Sequence, residues 1–81
     1  MKHSSKQMLL KVDREMRDIE WILRNSRIFT TTKINLIQKK LLEAENILKY
    51  LQRDDTLKYI ATDLLKNLES IRNYINKKYL H

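Results

Sequence analysis

Apolar side chains recur along this chain in three stretches, at the alternating steps of three and four residues that place them on one face of an α-helix. In the first stretch these positions are Leu9, Val12, Met16, Ile19 and Leu23. Ser4 precedes the stretch, and Gln7 follows Ser4 by three residues, which is the spacing of a helix-capping box. The pattern predicts a first helix over residues 5–25.

The second stretch predicts a helix over residues 31–52. Its apolar line is Ile34, Ile37, Leu41, Ala44, Leu48 and Leu51, and Leu36, Ile47 and Tyr50 widen the apolar arc on one side. We therefore expect this helix to be the most buried of the three and to contact both of the others. The run Thr30, Thr31 and Thr32 precedes it, and hydroxyl residues of this kind suit a helix N-cap better than a helix interior.

The third stretch predicts a helix over residues 56–78. Its apolar line is Leu57, Ile60, Ala61, Leu64, Leu68, Ile71, Ile75 and Tyr79. Asp54 and Asp55 stand just before it, and we expect one of them to cap the helix, because an acidic side chain there also favours the positive end of the helix dipole.

Three helices joined by short polar connections predict an all-α fold, an antiparallel up-down-up three-helix bundle with residues 1–81 as one domain. The chain contains no glycine and no proline, so it has little means of forming tight hairpins. An alternative architecture merges two of the helices into one long rod that dimerises as a coiled coil. The threonine run and the aspartate pair argue against that rod, since both are typical of a helix start.

The chain carries 17 lysine and arginine residues against 10 aspartate and glutamate residues, a net charge of +7. Such a charge favours acidic partners or nucleic acid, although soluble helical proteins also carry it without functional meaning. There is no cysteine, which excludes disulfides and thiolate metal sites and fits a reducing compartment. No apolar run approaches the roughly 18 residues of a transmembrane helix. We expect a cytoplasmic protein.

Residues suited to catalysis are scarce. The two histidines, His3 and His81, stand at the chain ends, so no internal histidine could serve as a base for a serine nucleophile. A glycine-rich phosphate loop is impossible without glycine. The carboxylates of the first helix alternate with lysine and arginine, as on a solvated charged face. The sequence therefore predicts no enzyme, no cofactor, no metal site and no small-molecule substrate.

The strongest candidate site is a second line of residues on the first helix, roughly opposite its apolar face. Leu10 and Trp21 are eleven residues apart, which returns to nearly the same direction around a helix. Arg14, Arg17 and Arg24 lie close to the same line, and tryptophan and arginine are enriched in interface hot spots.

This line predicts a protein-binding surface and a non-enzymatic interaction module, acting as an adaptor, an inhibitor or an assembly or regulatory factor. We expect a homodimer or an obligate complex. The alternatives are a wide buried arc on the first helix, or packing of Trp21 against Phe29 at the end of the bundle.

Two other segments carry alternative functions. Residues 21–42 contain no acidic residue, and Arg24, Arg27, Lys33, Lys39 and Lys40 there suit a nucleic-acid-binding regulator, although helix-turn-helix spacing is absent. Near the C-terminus, aromatic, apolar and basic residues suit contact with a membrane surface, as in an immunity-type or membrane-surface bundle. These residues are Arg72, Tyr74, Lys77, Lys78, Tyr79 and Leu80. Packing of this last turn against the second helix is the simpler interpretation, and membrane contact is the least favoured function.

Overall fold

The computed structural model describes residues 4–28 and 30–79 of the chain. They form three α-helices, α1 (Ser5–Asn25), α2 (Thr31–Leu51) and α3 (Lys58–Tyr79), and the described residues contain no β-strand. Contacts between Glu45 and Arg72 and between Gln52 and Thr62 show that α2 and α3 run in opposite directions. The predicted all-α, antiparallel three-helix bundle is confirmed.

Hydroxyl side chains start the first two helices as predicted. The Ser4 Oγ accepts a hydrogen bond from the backbone N–H of Gln7 at 3.2 Å, and the Thr30 Oγ1 accepts one from Lys33 at the same distance. Each bond satisfies a backbone donor that has no partner within the helix. The predicted bounds of α1 are confirmed, and α2 ends at Leu51, one residue earlier than predicted.

The start of α3 differs from the prediction by two residues, because Asp54 shapes the connection instead of capping the helix. The Asp54 carboxylate accepts a hydrogen bond from the Thr56 N–H at 2.9 Å, and its backbone carbonyl accepts one from Leu57 at 3.0 Å. Such a local turn competes with helix formation. The helix begins at Lys58 and ends at Tyr79, one residue later than predicted.

The core lies along α2, which packs against both α1 and α3, whereas α1 and α3 make at most a slight contact with each other. The buried apolar side chains of the described residues are Val12, Met16, Ile19, Ile37, Leu41, Ala44, Leu48, Leu51, Ala61, Leu68 and Ile75. Five of these eleven belong to α2, which confirms that α2 is the most buried helix. All eleven lie on the predicted apolar lines.

One polar network links α2 to α3. The Arg72 guanidinium donates to Glu45 on α2 and to Glu69 on its own helix, both at 2.6 Å, and Lys49 pairs with Glu45 at 3.1 Å. The hydrogen bond from Arg72, followed by that from Lys49, lowers the pKa of Glu45. The same bond raises the pKa of Arg72. The Glu45 carboxylate therefore favours the folded state while it is ionised.

This lowered pKa predicts a pH-dependent stability. Glu45 stabilises the fold fully above the pKa that it has in the unfolded chain, and this contribution is lost as the pH falls through its lower folded-state pKa. Between neutral and strongly acidic pH, the Glu45→Gln variant should lose about 1 kcal/mol less unfolding free energy than the wild type. Urea titrations at the two pH values measure the difference.

The control for this measurement is Glu43→Gln, since Glu43 is an exposed carboxylate on α2 that makes no ion pair with any described residue. It should retain the wild-type loss of stability in acid. An equal loss in the wild type and in Glu45→Gln would contradict the role of the pair with Arg72.

Candidate functional site

The outer face of α1 consists of Leu10, Arg14, Arg17, Trp21 and Arg24, all of which are exposed. It points away from Val12, Met16 and Ile19, the buried side chains of the same helix. Leu10 retains 58% of its accessible surface and Trp21 retains 66%. A wide buried arc on α1 is therefore wrong for both residues.

The other alternative, packing of Trp21 against Phe29 at the end of the bundle, involves a residue that lies outside the described ranges. Trp21 is nevertheless largely open to solvent in the structure. A large exposed aromatic side chain, in line with a second exposed apolar residue on the same side of the helix, is the feature of α1 that the packing of the bundle does not use.

The two apolar side chains stand about 16 Å apart along the helix axis, with Arg14 and Arg17 between them. The Arg17 Nε pairs with the Asp13 Oδ2 at 3.1 Å, and both side chains are substantially exposed. The side-chain amide of Asn25 donates to the Trp21 carbonyl at 2.9 Å and so helps to hold the last turn of the helix. Arg14 is exposed and makes no ion pair with any described residue.

Two carboxylates, those of Asp13 and Asp18, also belong to this surface, although the sequence alone suggested only a solvated charged face. Asp13 and Asp18, with Leu10, Arg14 and Arg17, line one shallow depression on α1. Helical spacing could have revealed them, because positions three and four residues apart are neighbours on a helix. The surface thus offers apolar anchors, cations and flanking anions, and it suits a protein partner that has an apolar patch and charges of both signs.

The residues predicted to bind nucleic acid separate into two groups. Arg24 ends α1, Arg27 lies in the connection and Lys33 opens α2, so these three exposed cations meet at one end of the bundle. The Lys33 ammonium donates to the Ser26 Oγ at 3.4 Å. Lys39 and Lys40 lie further along α2, and neighbouring positions point about 100° apart around a helix. Lys39 points about 120° away from Lys33 around α2, whereas Lys40 lies within about 20° of Lys33 but is half-buried and about 10 Å further along the helix.

The antiparallel register of α2 and α3 adds two cations that the sequence interpretation did not group with these. Because Glu45 contacts Arg72, the last turn of α3 lies about level with Lys39, and Lys77 and Lys78 therefore lie in the same part of the bundle. Only tertiary packing fixes this register, so the sequence of either helix alone could not have revealed it.

The aromatic residues at the end of α3 form a cluster around one lysine. The Lys78 Nζ donates to the Tyr74 hydroxyl at 3.0 Å and lies 5.3 Å and 5.7 Å from the ring centroids of Tyr74 and Tyr79. The hydrogen bond to Tyr74 raises the pKa of Lys78. Tyr79 is half-buried against the core, which agrees with simple packing of this turn. Leu80 lies outside the described residues.

The described residues show no grouping of acidic or histidine side chains suited to hold a metal ion, and His3 and His81 lie outside the described ranges. Within residues 4–28 and 30–79, no helix has the length and apolar character needed to cross a membrane. The chain matches no protein-family model, and no curated protein or solved structure is significantly similar to it.

Proposed function

We propose that this protein is a non-enzymatic protein–protein interaction module, an adaptor, inhibitor or assembly or regulatory factor, that binds its partner through the outer face of α1. One observation carries the proposal: Trp21 is 66% exposed on the side of α1 that faces away from the core, in line with the exposed Leu10. The partner is another protein chain, and a homodimer is one form of this interaction.

The energetics of burial support this choice of surface. A tryptophan buries about 150 to 250 Å² when covered, so an exposed tryptophan leaves a large favourable term unused in the monomer. Truncating a hot-spot tryptophan that is buried in an interface costs about 2 kcal/mol or more, about a 30-fold change in affinity. Arg14 and Arg17 supply donors for carboxylates of the partner, and their aliphatic stems add apolar surface between the two anchors.

The Trp21→Ala variant tests the proposal against a matched control, Tyr59→Ala. Tyr59 is an aromatic residue of α3 that is 78% exposed and lies on a different helix. Affinity purification of the tagged chain from its native host, with and without nuclease, should recover a protein partner that Trp21→Ala binds at least about 30-fold more weakly. Tyr59→Ala should bind as the wild type does, and both variants should keep the wild-type helical circular dichroism.

Undiminished binding of the partner by Trp21→Ala would reject the outer face of α1 as the binding surface.

A second candidate, binding of nucleic acid, is favoured by Arg24, Arg27 and Lys33 at one end of the bundle, within a segment that has no acidic residue. It predicts that the tagged chain recovers nucleic acid, which nuclease treatment removes, and that its affinity for nucleic acid falls steeply as the salt concentration rises. The cytoplasmic location stays a prediction from composition.

A further inference from the structure

The segment that carries the outer face of α1 is partly palindromic in residue type. Reading outwards from the point between Glu15 and Met16 to Leu10 and Trp21, four of the six mirrored pairs match in type, and the pairs Glu15 with Met16 and Lys11 with Glu20 do not. The matching pairs are Arg14 with Arg17, Asp13 with Asp18, Val12 with Ile19, and Leu10 with Trp21. When a second copy runs in the opposite direction, each arginine therefore lies within about one residue of an aspartate of that copy along the helix axis.

The helical arrangement assigns these residues to three parallel lines, given a turn of about 100° per residue. Leu10 and Trp21 form the central line. Arg14 and Asp18 lie on one side of it, and Arg17 and Asp13 lie on the other, around the depression that these side chains line. Each side thus carries one cation and one anion, about one helical turn apart.

We propose that the partner of this surface is a second copy of the chain, bound with the two α1 helices antiparallel and a two-fold axis passing between Glu15 and Met16. This inference rests on the proposed function. In that arrangement each side of one helix meets the same side of the other. Leu10 then packs on Trp21 of the second copy, while Arg14 pairs with Asp18 of the second copy and Arg17 with its Asp13. Symmetry repeats every contact.

Two physical arguments favour the antiparallel direction over a parallel one, in which these charges could also find opposite partners. A parallel pair would place Trp21 on Trp21 and Leu10 on Leu10, which leaves the helices unevenly separated. In the antiparallel pair, Trp21 packs on the smaller Leu10 at both ends, so the helices are evenly separated. The two helix dipoles are also antiparallel, which is the favourable arrangement.

The interface consists of one helix pair, which belongs to the small and weak class of complexes. Lys6 would face Arg24 of the second copy at the rim, and Arg14 would lie about 4.5 Å along the axis from Arg14 of the second copy. Both pairs of like charges weaken the dimer further. We therefore expect dimerisation in the micromolar to millimolar range of concentration.

A charge exchange tests the register without touching the apolar anchors. Sedimentation equilibrium of the purified chain should show a dimer whose dissociation constant rises about tenfold in Arg14→Asp, because two attractive pairs become repulsive. The double variant Arg14→Asp/Asp18→Arg should restore it to within about twofold, since the exchanged charges still match in the antiparallel register. Lys66→Asp, an equal charge change at an exposed site on α3, is the control and should resemble the wild type.

Cysteine cross-linking measures the direction itself, because the chain has no native cysteine. A mixture of Gln7→Cys and Asn25→Cys chains should form a heterodimer with a short bismaleimide, and Gln7→Cys alone should not. In the antiparallel pair two copies of Gln7 lie about 25 Å apart, whereas Gln7 and Asn25 of the second copy are neighbours.

Cross-linking of Gln7→Cys alone, or failure of the double charge variant to restore association, would overturn the antiparallel register. A purified chain that stays monomeric throughout would overturn self-association. If capture of another protein still depended on Trp21 in that case, the proposed function would stand and only this inference would fall. If the chain neither dimerised nor captured another protein through Trp21, the proposed function would fall as well.

Discussion

Replacing Leu48 with Ala should lower the free energy of unfolding by about 2 to 5 kcal/mol, which is the cost of removing a fully buried leucine side chain and leaving a cavity. Leu48 has no accessible surface and lies on α2, the helix that packs against both neighbours. A domain of this size has a total stability of about 4 to 12 kcal/mol. The substitution should therefore remove a large part of the stability, as measured by urea titration of the circular dichroism.

The matched control is Leu42→Ala on the same helix, because Leu42 is 55% exposed and contributes little to the core. It should change the free energy of unfolding by less than about 1 kcal/mol. Equal losses at the two positions would mean that the buried face of α2 is assigned wrongly.

Replacing Ala44 with Leu should destabilise the protein by about 1 to 3 kcal/mol, although the substitution adds apolar surface. Ala44 has no accessible surface and lies on the buried face of α2 between Leu41 and Leu48. A larger side chain there must displace packed neighbours, since protein interiors are close-packed. Thermal and urea unfolding measure the effect.

Asn46→Leu introduces the same side chain two residues further along α2, at an exposed position. It should change the free energy of unfolding by less than about 0.5 kcal/mol. A stabilised Ala44→Leu variant would show that the bundle has unfilled space next to α2 and would contradict the close packing described above.

The sequence predicted the helices well where the determining signals are local. Ser4 and Thr30 start α1 and α2 as predicted, because each hydroxyl bonds a backbone N–H only three residues away. At α3 the same reasoning failed by two residues. The Asp54 side chain can either cap the helix or accept a hydrogen bond from the Thr56 N–H in a local turn, and it forms the turn. The preference of aspartate for N-cap positions does not decide between these two conformations.

Exposure of the candidate site also followed from helical periodicity. Leu10 and Trp21 stand on the side opposite Val12, Met16 and Ile19, and a single buried face leaves them in solvent. The sequence could not show which of the charged residues beside them act together. It also could not show that Glu45 and Arg72 would meet, because that contact depends on how α3 slides along α2.

The apolar residues lie where the sequence predicted them, whereas the basic residues of the acid-free segment do not all lie together. Arg24, Arg27 and Lys33 remain together because they surround one short connection. Lys39 points away from Lys33 around α2, and Lys40, on the side of Lys33, is half-buried. A contiguous run of charge in a sequence is therefore weak evidence for a contiguous charged surface on a helical protein.

The central claim is that another protein chain binds the outer face of α1, and site-specific photocross-linking in the native host tests it most directly. A photoreactive phenylalanine analogue at Arg14, an exposed position between Leu10 and Trp21, should yield a discrete cross-linked protein adduct. The same analogue at Tyr59, which is exposed on α3, should yield none. Failure to form an adduct at Arg14, or the same adduct at both positions, would contradict the account.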